Sequence, residues 1–123
     1  MKKRDCLIWA EALINGEFKK LKGSMSNAQT EGDKPTACCC LGVANEVLLK
    51  DSRYDRLKKV ALILSAKGVF KSGANPKIFG LQASMINDGC YESDYFVDSE
   101  GLTHEQIGIL LLLAIETGEH KNI

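Results

Sequence analysis

The chain has 123 residues, with 16 Lys+Arg against 16 Asp+Glu and a formal net charge of zero. That length fits one globular domain over residues 1–123, and a 45% apolar fraction excludes disordered, collagen-like and low-complexity classes. Zero net charge argues against a uniformly basic polyanion binder, and the longest apolar run, from Ile109 to Ile115, falls well short of the about 18–20 residues of a membrane span.

Met1-Lys2-Lys3-Arg4 looks like the basic start of a signal peptide. Asp5, Glu11, Asn15 and Glu17 interrupt the apolar run that export requires, so a cytoplasmic protein is expected. In residues 3–15, Cys6, Trp9, Ala10, Leu13 and Ile14 recur at one-face helical spacing, and Asn15-Gly16 supplies the stop. Residues 17–35 are polar and read as a loop, with a short strand within 18–25 whose expected partner is 94–98. Cys40, Val43, Ala44, Val47 and Leu48 predict a helix over 37–50 with Thr36 as its N-cap. Gly42 costs that helix about 1 kcal/mol relative to Ala, which points to close backbone approach by another element.

Ser52 and Asp55 resemble a capping box for a further helix, with Tyr54, Leu57, Val60, Ala61 and Leu64 on its buried stripe and Gly68 as its end. Asn75-Pro76 predicts a helix start, followed by Ile78, Leu81, Gln82, Met85 and Ile86 at helical spacing and Gly89 as the stop. Residues 90–101 are acidic and aromatic and read as extended. Thr103 and Gln106 form a capping box for a final helix carrying Ile107, Leu110, Leu111, Ala114 and Ile115. Leu112 and Leu113 broaden its apolar surface, so it is expected to be the central helix of the core. The predicted class is mainly α, with about five helices and a short two-stranded β element.

Four segments together resemble a family of small phage and prophage proteins. They are a Trp-led helix ending in Gly plus an aromatic (Trp9, Ala12, Leu13, Gly16, Phe18), the block Cys39-Cys40-Leu41-Gly42-Val43, a Leu-rich turn ending Asn87-Asp88, and a Thr-led helix start from Leu102 to Gly108. The Cys-Cys-Leu-Gly-Val block is the hallmark. The chain departs from the family pattern at Lys19 and Lys20, where Gln is common after the first aromatic, and in a longer, more acidic segment at 89–101. The resemblance implies a phage or mobile-element origin and action in the host cell cytosol. It implies no reaction.

Five cysteines, three of them consecutive, form no spaced zinc pattern with His104 and His120. The expected state is buried free thiols that pack as small hydrophobes. Cys38 to Cys40 at a helix start would have a thiol pKa lowered by the helix dipole, and His104 is the best available base for a nucleophile there. No phosphate-binding loop, dinucleotide fingerprint, nucleophile elbow or HExxH pattern is present, and no cofactor or metal is implied. The hallmark helix and the Asn-Asp turn are expected to meet, with Cys39, Cys40, Asn87 and Asp88 in one packing cluster. Asn45 and Glu46 are expected on a solvated face.

Charge is strongly segregated along the chain. Residues 50–77 hold eight Lys/Arg and two Asp/Glu, whereas 87–119 hold eight acids and no Lys/Arg. Such blocks either form interaction surfaces or face each other. The leading functional expectation is a non-enzymatic phage accessory protein that counters host defence. It would bind a host protein through the acidic-aromatic segment 87–100, or sequester a nucleotide-like, phosphate-bearing signal. Lys19, Lys20, Lys22, Arg53, Arg56, Lys58 and Lys59 would then grip phosphate, and Tyr54 or Tyr95 would stack a base. The alternatives are a small cysteine-dependent enzyme and a nucleic-acid-binding regulator using 50–77, the latter opposed by the acidic block. No membrane partner is expected. Opposite charge blocks on one chain favour a homo-oligomer.

Overall fold

Trp9 and Leu13 on one helix and Ile107 and Leu111 on another are the residues around which the fold closes, all at most 1% exposed. The computed structural model describes residues 1–30, 33–49, 69–71, 75–89 and 100–123. About half of the described residues are helical, with small two-stranded sheets besides. Helix α1 spans Lys3–Ile14, α2 Cys40–Ala44, α3 Ala83–Asp88 and α4 His104–Thr117. A π-helical turn, Asn45–Leu49, continues α2, and a 3-10 turn, Glu119–Asn122, follows α4. Among the described residues, no helix is long and apolar enough to cross a membrane.

The α1–α4 pair forms the backbone of the core. Gly108 makes its close packing feasible: a Cβ there would lie 2.6 Å from Ile14 Cγ1 and 2.8 Å from the Ala10 carbonyl oxygen. The Thr103 capping box forms as the spacing predicts. The Thr103 hydroxyl accepts from the Gln106 amide at 3.1 Å, and the Gln106 side chain accepts from the Thr103 amide at 2.9 Å. The central position expected for α4 needs one adjustment, because Leu113 is 45% exposed and Ile109, one turn earlier, is 53% exposed. Trp9 packs on Phe70 with ring centroids 5.3 Å apart and donates from Nε1 to the Cys40 carbonyl at 2.9 Å, tying α1 to α2.

Three local expectations are corrected. The strand at Lys19–Lys20 (β1) pairs in parallel with Ala37–Cys38 (β2), and 94–98 lies outside the described residues. The helix predicted over 37–50 therefore begins only at Cys40. Thr36 is no N-cap, since Asn27 holds both its amide (3.0 Å) and its hydroxyl (2.8 Å). The third correction concerns Asn75-Pro76, which starts no helix. Lys77–Ile78 (β3) and Leu81–Gln82 (β4) form an antiparallel hairpin, and α3 begins at Ala83. Phe79 and Gly80 both have positive φ, 50° and 83°, the requirement of a two-residue hairpin turn that matches strand twist. Asn75 still caps α3, reaching across the hairpin so that its Oδ1 accepts from the Ser84 amide at 3.1 Å. The helix expected from Ser52 and Asp55 lies outside the described residues.

Gly108→Val would force α1 and α4 apart. Overpacking of this kind costs about 1–3 kcal/mol, so chemical denaturation should give a lower midpoint with an unchanged slope.

Candidate functional site

The hallmark block turns from strand to helix at Cys39, whose backbone is extended (φ −72°, ψ 171°). Its sulfur occupies the N-cap role, accepting from the Gly42 amide at 3.4 Å where a Ser or Asp oxygen usually sits. Its amide donates to the Met25 carbonyl at 3.2 Å, and its thiol meets Met25 Sδ at 3.8 Å. The Met25 carbonyl passes so near Gly42 that any Cβ there would overlap it. The close approach expected at Gly42 is therefore made by residues 23–25, which lie as a strap over α2.

Cys40 has every polar group engaged. Its amide donates to Asn87 Oδ1 at 2.9 Å, its thiol donates to the Ala83 carbonyl at 3.6 Å, and its carbonyl accepts from Trp9. Asn87 is fully buried, and its Nδ2 donates to the Leu21 carbonyl at 2.9 Å and to Asp88 Oδ1 at 2.6 Å. Leu21 in turn donates its amide to the Cys38 carbonyl at 3.0 Å. The structure thus brings Cys39, Cys40, Asn87 and Asp88 together around a cleft of about 180 Å³. The strap residues Gly23, Ser24 and Met25 form one wall, Cys39, Cys40 and Leu41 the floor, and Ser84, Asn87 and Asp88 the other wall.

These thiols are not activated. Burial pushes the Cys39 and Cys40 pKa up, and for Cys39 the Asp88 carboxylate adds to the rise. Burial likewise pushes Cys6 up to about 11. The lowering expected at this helix start is outweighed: the Gly42 and Leu41 amides do pull the Cys39 pKa down, but burial raises it by more, and burial dominates at Cys40 too. His104 forms no dyad with them. It is 6% exposed at the start of α4, with Nδ1 3.2 Å from the Phe18 carbonyl and the Cys38 backbone close by. Burial lowers its pKa, and nearby Lys20 lowers it further. Among the described residues, no group of three or more His, Cys, Asp or Glu is arranged to hold a metal ion.

The basic candidates separate. Lys19 is exposed. Lys20 Nζ donates to the Glu100 carbonyl at 2.7 Å, and Lys22 Nζ lies 3.7 Å from Glu100 Oε2. Here a lysine of β1 and one just beyond it meet an acid of the 87–119 block. Arg53, Tyr54, Arg56, Lys58, Lys59 and Tyr95 lie outside the described residues. Asn45 and Glu46, expected on a solvated face, are half-buried, and Asn45 Oδ1 is buried with no hydrogen-bond partner among the described residues. Sequence reasoning missed Leu21, Met25 and Ser84. Leu21 and Met25 contribute mainly backbone carbonyls, which leave no trace in residue type. Comparison with protein families, curated proteins and solved structures finds no match to this chain.

Two outcomes follow from this geometry. Asn87→Ala leaves the Cys40 amide and the Leu21 carbonyl without their partner, at about 1–3 kcal/mol for each buried group. Thermal denaturation should show a large loss, while Cys39→Ser, which retains a capping atom, should lose far less. The second outcome is a pH profile. The His104 pKa is lower in the folded state than its ordinary 6.5, so the unfolded chain binds more protons below that value. Its contribution is complete above pH 6.5 and is lost as pH falls toward the folded-state pKa. The raised thiols act oppositely, so stability declines as pH rises past 9 toward 11. Denaturation midpoints across pH should show both limbs, and His104→Gln should flatten the acidic one.

Proposed function

We propose that the chain is a phage or prophage accessory protein that counters host defence without catalysis, by binding a host protein. The single observation that carries this reading is the placement of Asp88. The first acid of the 87–119 block opens into the cleft, one of its oxygens held by Asn87 and the other without a hydrogen bond among the described residues. An anionic cleft repels phosphate and suits a partner with basic groups. Lys20 and Lys22 support the same choice, since both are drawn onto Glu100. The raised thiols, and a His104 ring turned onto the Phe18 carbonyl, weigh against a cysteine-dependent enzyme. In this reading the contact surface is the acidic-aromatic segment 87–100, whose first acid, Asp88, lines the cleft.

The test is affinity capture from bacterial cells with the native protein and with the double variant Asp88→Lys/Glu100→Lys. A host protein should co-purify with the native chain, rebind it when purified, and be lost with the variant. A nucleotide panel should leave the melting temperature unchanged. A ligand at a hundredfold excess over its Kd would stabilise by about 2.7 kcal/mol, so a shift of several degrees with any nucleotide would overturn the protein-binding reading in favour of sequestration.

A further inference from the structure

We infer that the cleft between the 23–25 strap and α3 is an anchor pocket for one lysine or arginine side chain of a protein partner. The inference rests on the protein-binding reading above and assigns its chemistry. Size is the first constraint. At about 180 Å³ the cleft is smaller than the roughly 300–1,000 Å³ of small-molecule and cofactor pockets. A volume of that size matches a single extended side chain more closely than a whole nucleotide.

The lining sets the chemistry. Met25, Leu41 and the Cys39 thiol offer apolar surface to a methylene stem, and Asp88 offers an anionic end with Ser24 beside it. Among the described residues, no Lys, Arg or His lines the cleft, and the nearby Lys20 is drawn onto the Glu100 carbonyl. A guanidinium or ammonium reaching the unbonded carboxylate oxygen makes a charge-assisted hydrogen bond, the stronger class.

The walls are fixed before a partner arrives. The Met25 carbonyl is wedged against Gly42 and bonded to the Cys39 amide, and Asn87 ties α3 to both Cys40 and Leu21. A preformed pocket requires little ordering on binding, which is the character of hot-spot anchors at protein interfaces.

The probes are Nα-acetyl-lysine methylamide and Nα-acetyl-arginine methylamide, with the uncharged norleucine analogue as control. Each is titrated into the ¹⁵N-labelled full chain. The cationic probes should shift the amides of Gly23, Ser24 and Asp88 and the Asn87 side-chain NH₂, saturating in the range of about 1–10 mM, as expected for one anchoring group. Asp88→Asn keeps an acceptor for Asn87 and removes only the charge; it should weaken the probes at least about tenfold. Ser24→Trp, at an exposed position, blocks the mouth and should abolish the shifts while the rest of the spectrum stays native. Equal shifts with norleucine, cationic shifts that survive both variants, or no saturable shift at all would overturn the assignment. So would a concentration-dependent dimer that Asp88→Asn dissolves, since the occupant would then be a second copy. If host-protein capture survives in both variants while the probes fail, the anchor is refuted and the protein-binding reading stands. If the probes bind as described but no host protein is captured, the pocket stands and that reading falls.

Discussion

A buried carboxamide must satisfy two donors and a carbonyl oxygen without water, and Asn87 does so by joining parts of the chain that are far apart in sequence. Its oxygen takes the first amide of α2, and its nitrogen holds the Leu21 carbonyl beyond β1 and the carboxylate of Asp88. Leu21 is in turn bonded to Cys38, the residue that ends β2. Strand pairing, the strand-to-helix turn at Cys39 and the docking of α3 thus depend on one side chain. In a low-dielectric interior such bonds are strong when complete and costly when broken, which gives the arrangement a defined geometry that apolar packing alone would not impose.

The cysteines complement this role through size. Cys38, Cys39 and Cys40 are each less than 10% exposed, in a space bounded by the strap, α3 and Trp9. Sulfur is a weak donor and acceptor that tolerates long contacts, so the block can pack as small hydrophobes and still satisfy the Gly42 amide and the Ala83 carbonyl. Raised pKa values are the ordinary outcome of that burial. The same physics that makes these thiols good packing groups makes them poor nucleophiles.

Much of this was legible in the sequence where local pattern and tertiary packing agree. Helix α1 follows the spacing of Cys6, Trp9, Ala10 and Leu13, and α4 begins where the Thr103–Gln106 pair marks it. The meeting of Cys39, Cys40, Asn87 and Asp88 followed from the order of the family-like segments, and Gly42 signalled a close neighbour without naming Met25. Elsewhere tertiary pairing overrode local pattern. Ala37 and Cys38 have helical neighbours but are drawn into a strand by Lys19 and Lys20. Asn75-Pro76 looked like a helix start because the Asn side chain does cap a helix, one that begins eight residues later across a hairpin. The attachment of Lys20 and Lys22 to Glu100 joins residues about 80 positions apart, and no local signal carries such a pairing.

The backbone on either side of the acidic-aromatic segment has a consequence for how such a protein can change. Gly101 lies against the Asn87 carbonyl and the Gly89 amide, and Leu102 donates to the Ile86 carbonyl at 2.8 Å. The chain therefore departs at Gly89 and returns at Gly101 through a closed neck whose bonds belong to α3 and the entry to α4. Gly101 is thus the point at which a single added side chain would break the neck, because its Cβ would fall on the Asn87 carbonyl and so disturb the residue that organises the network.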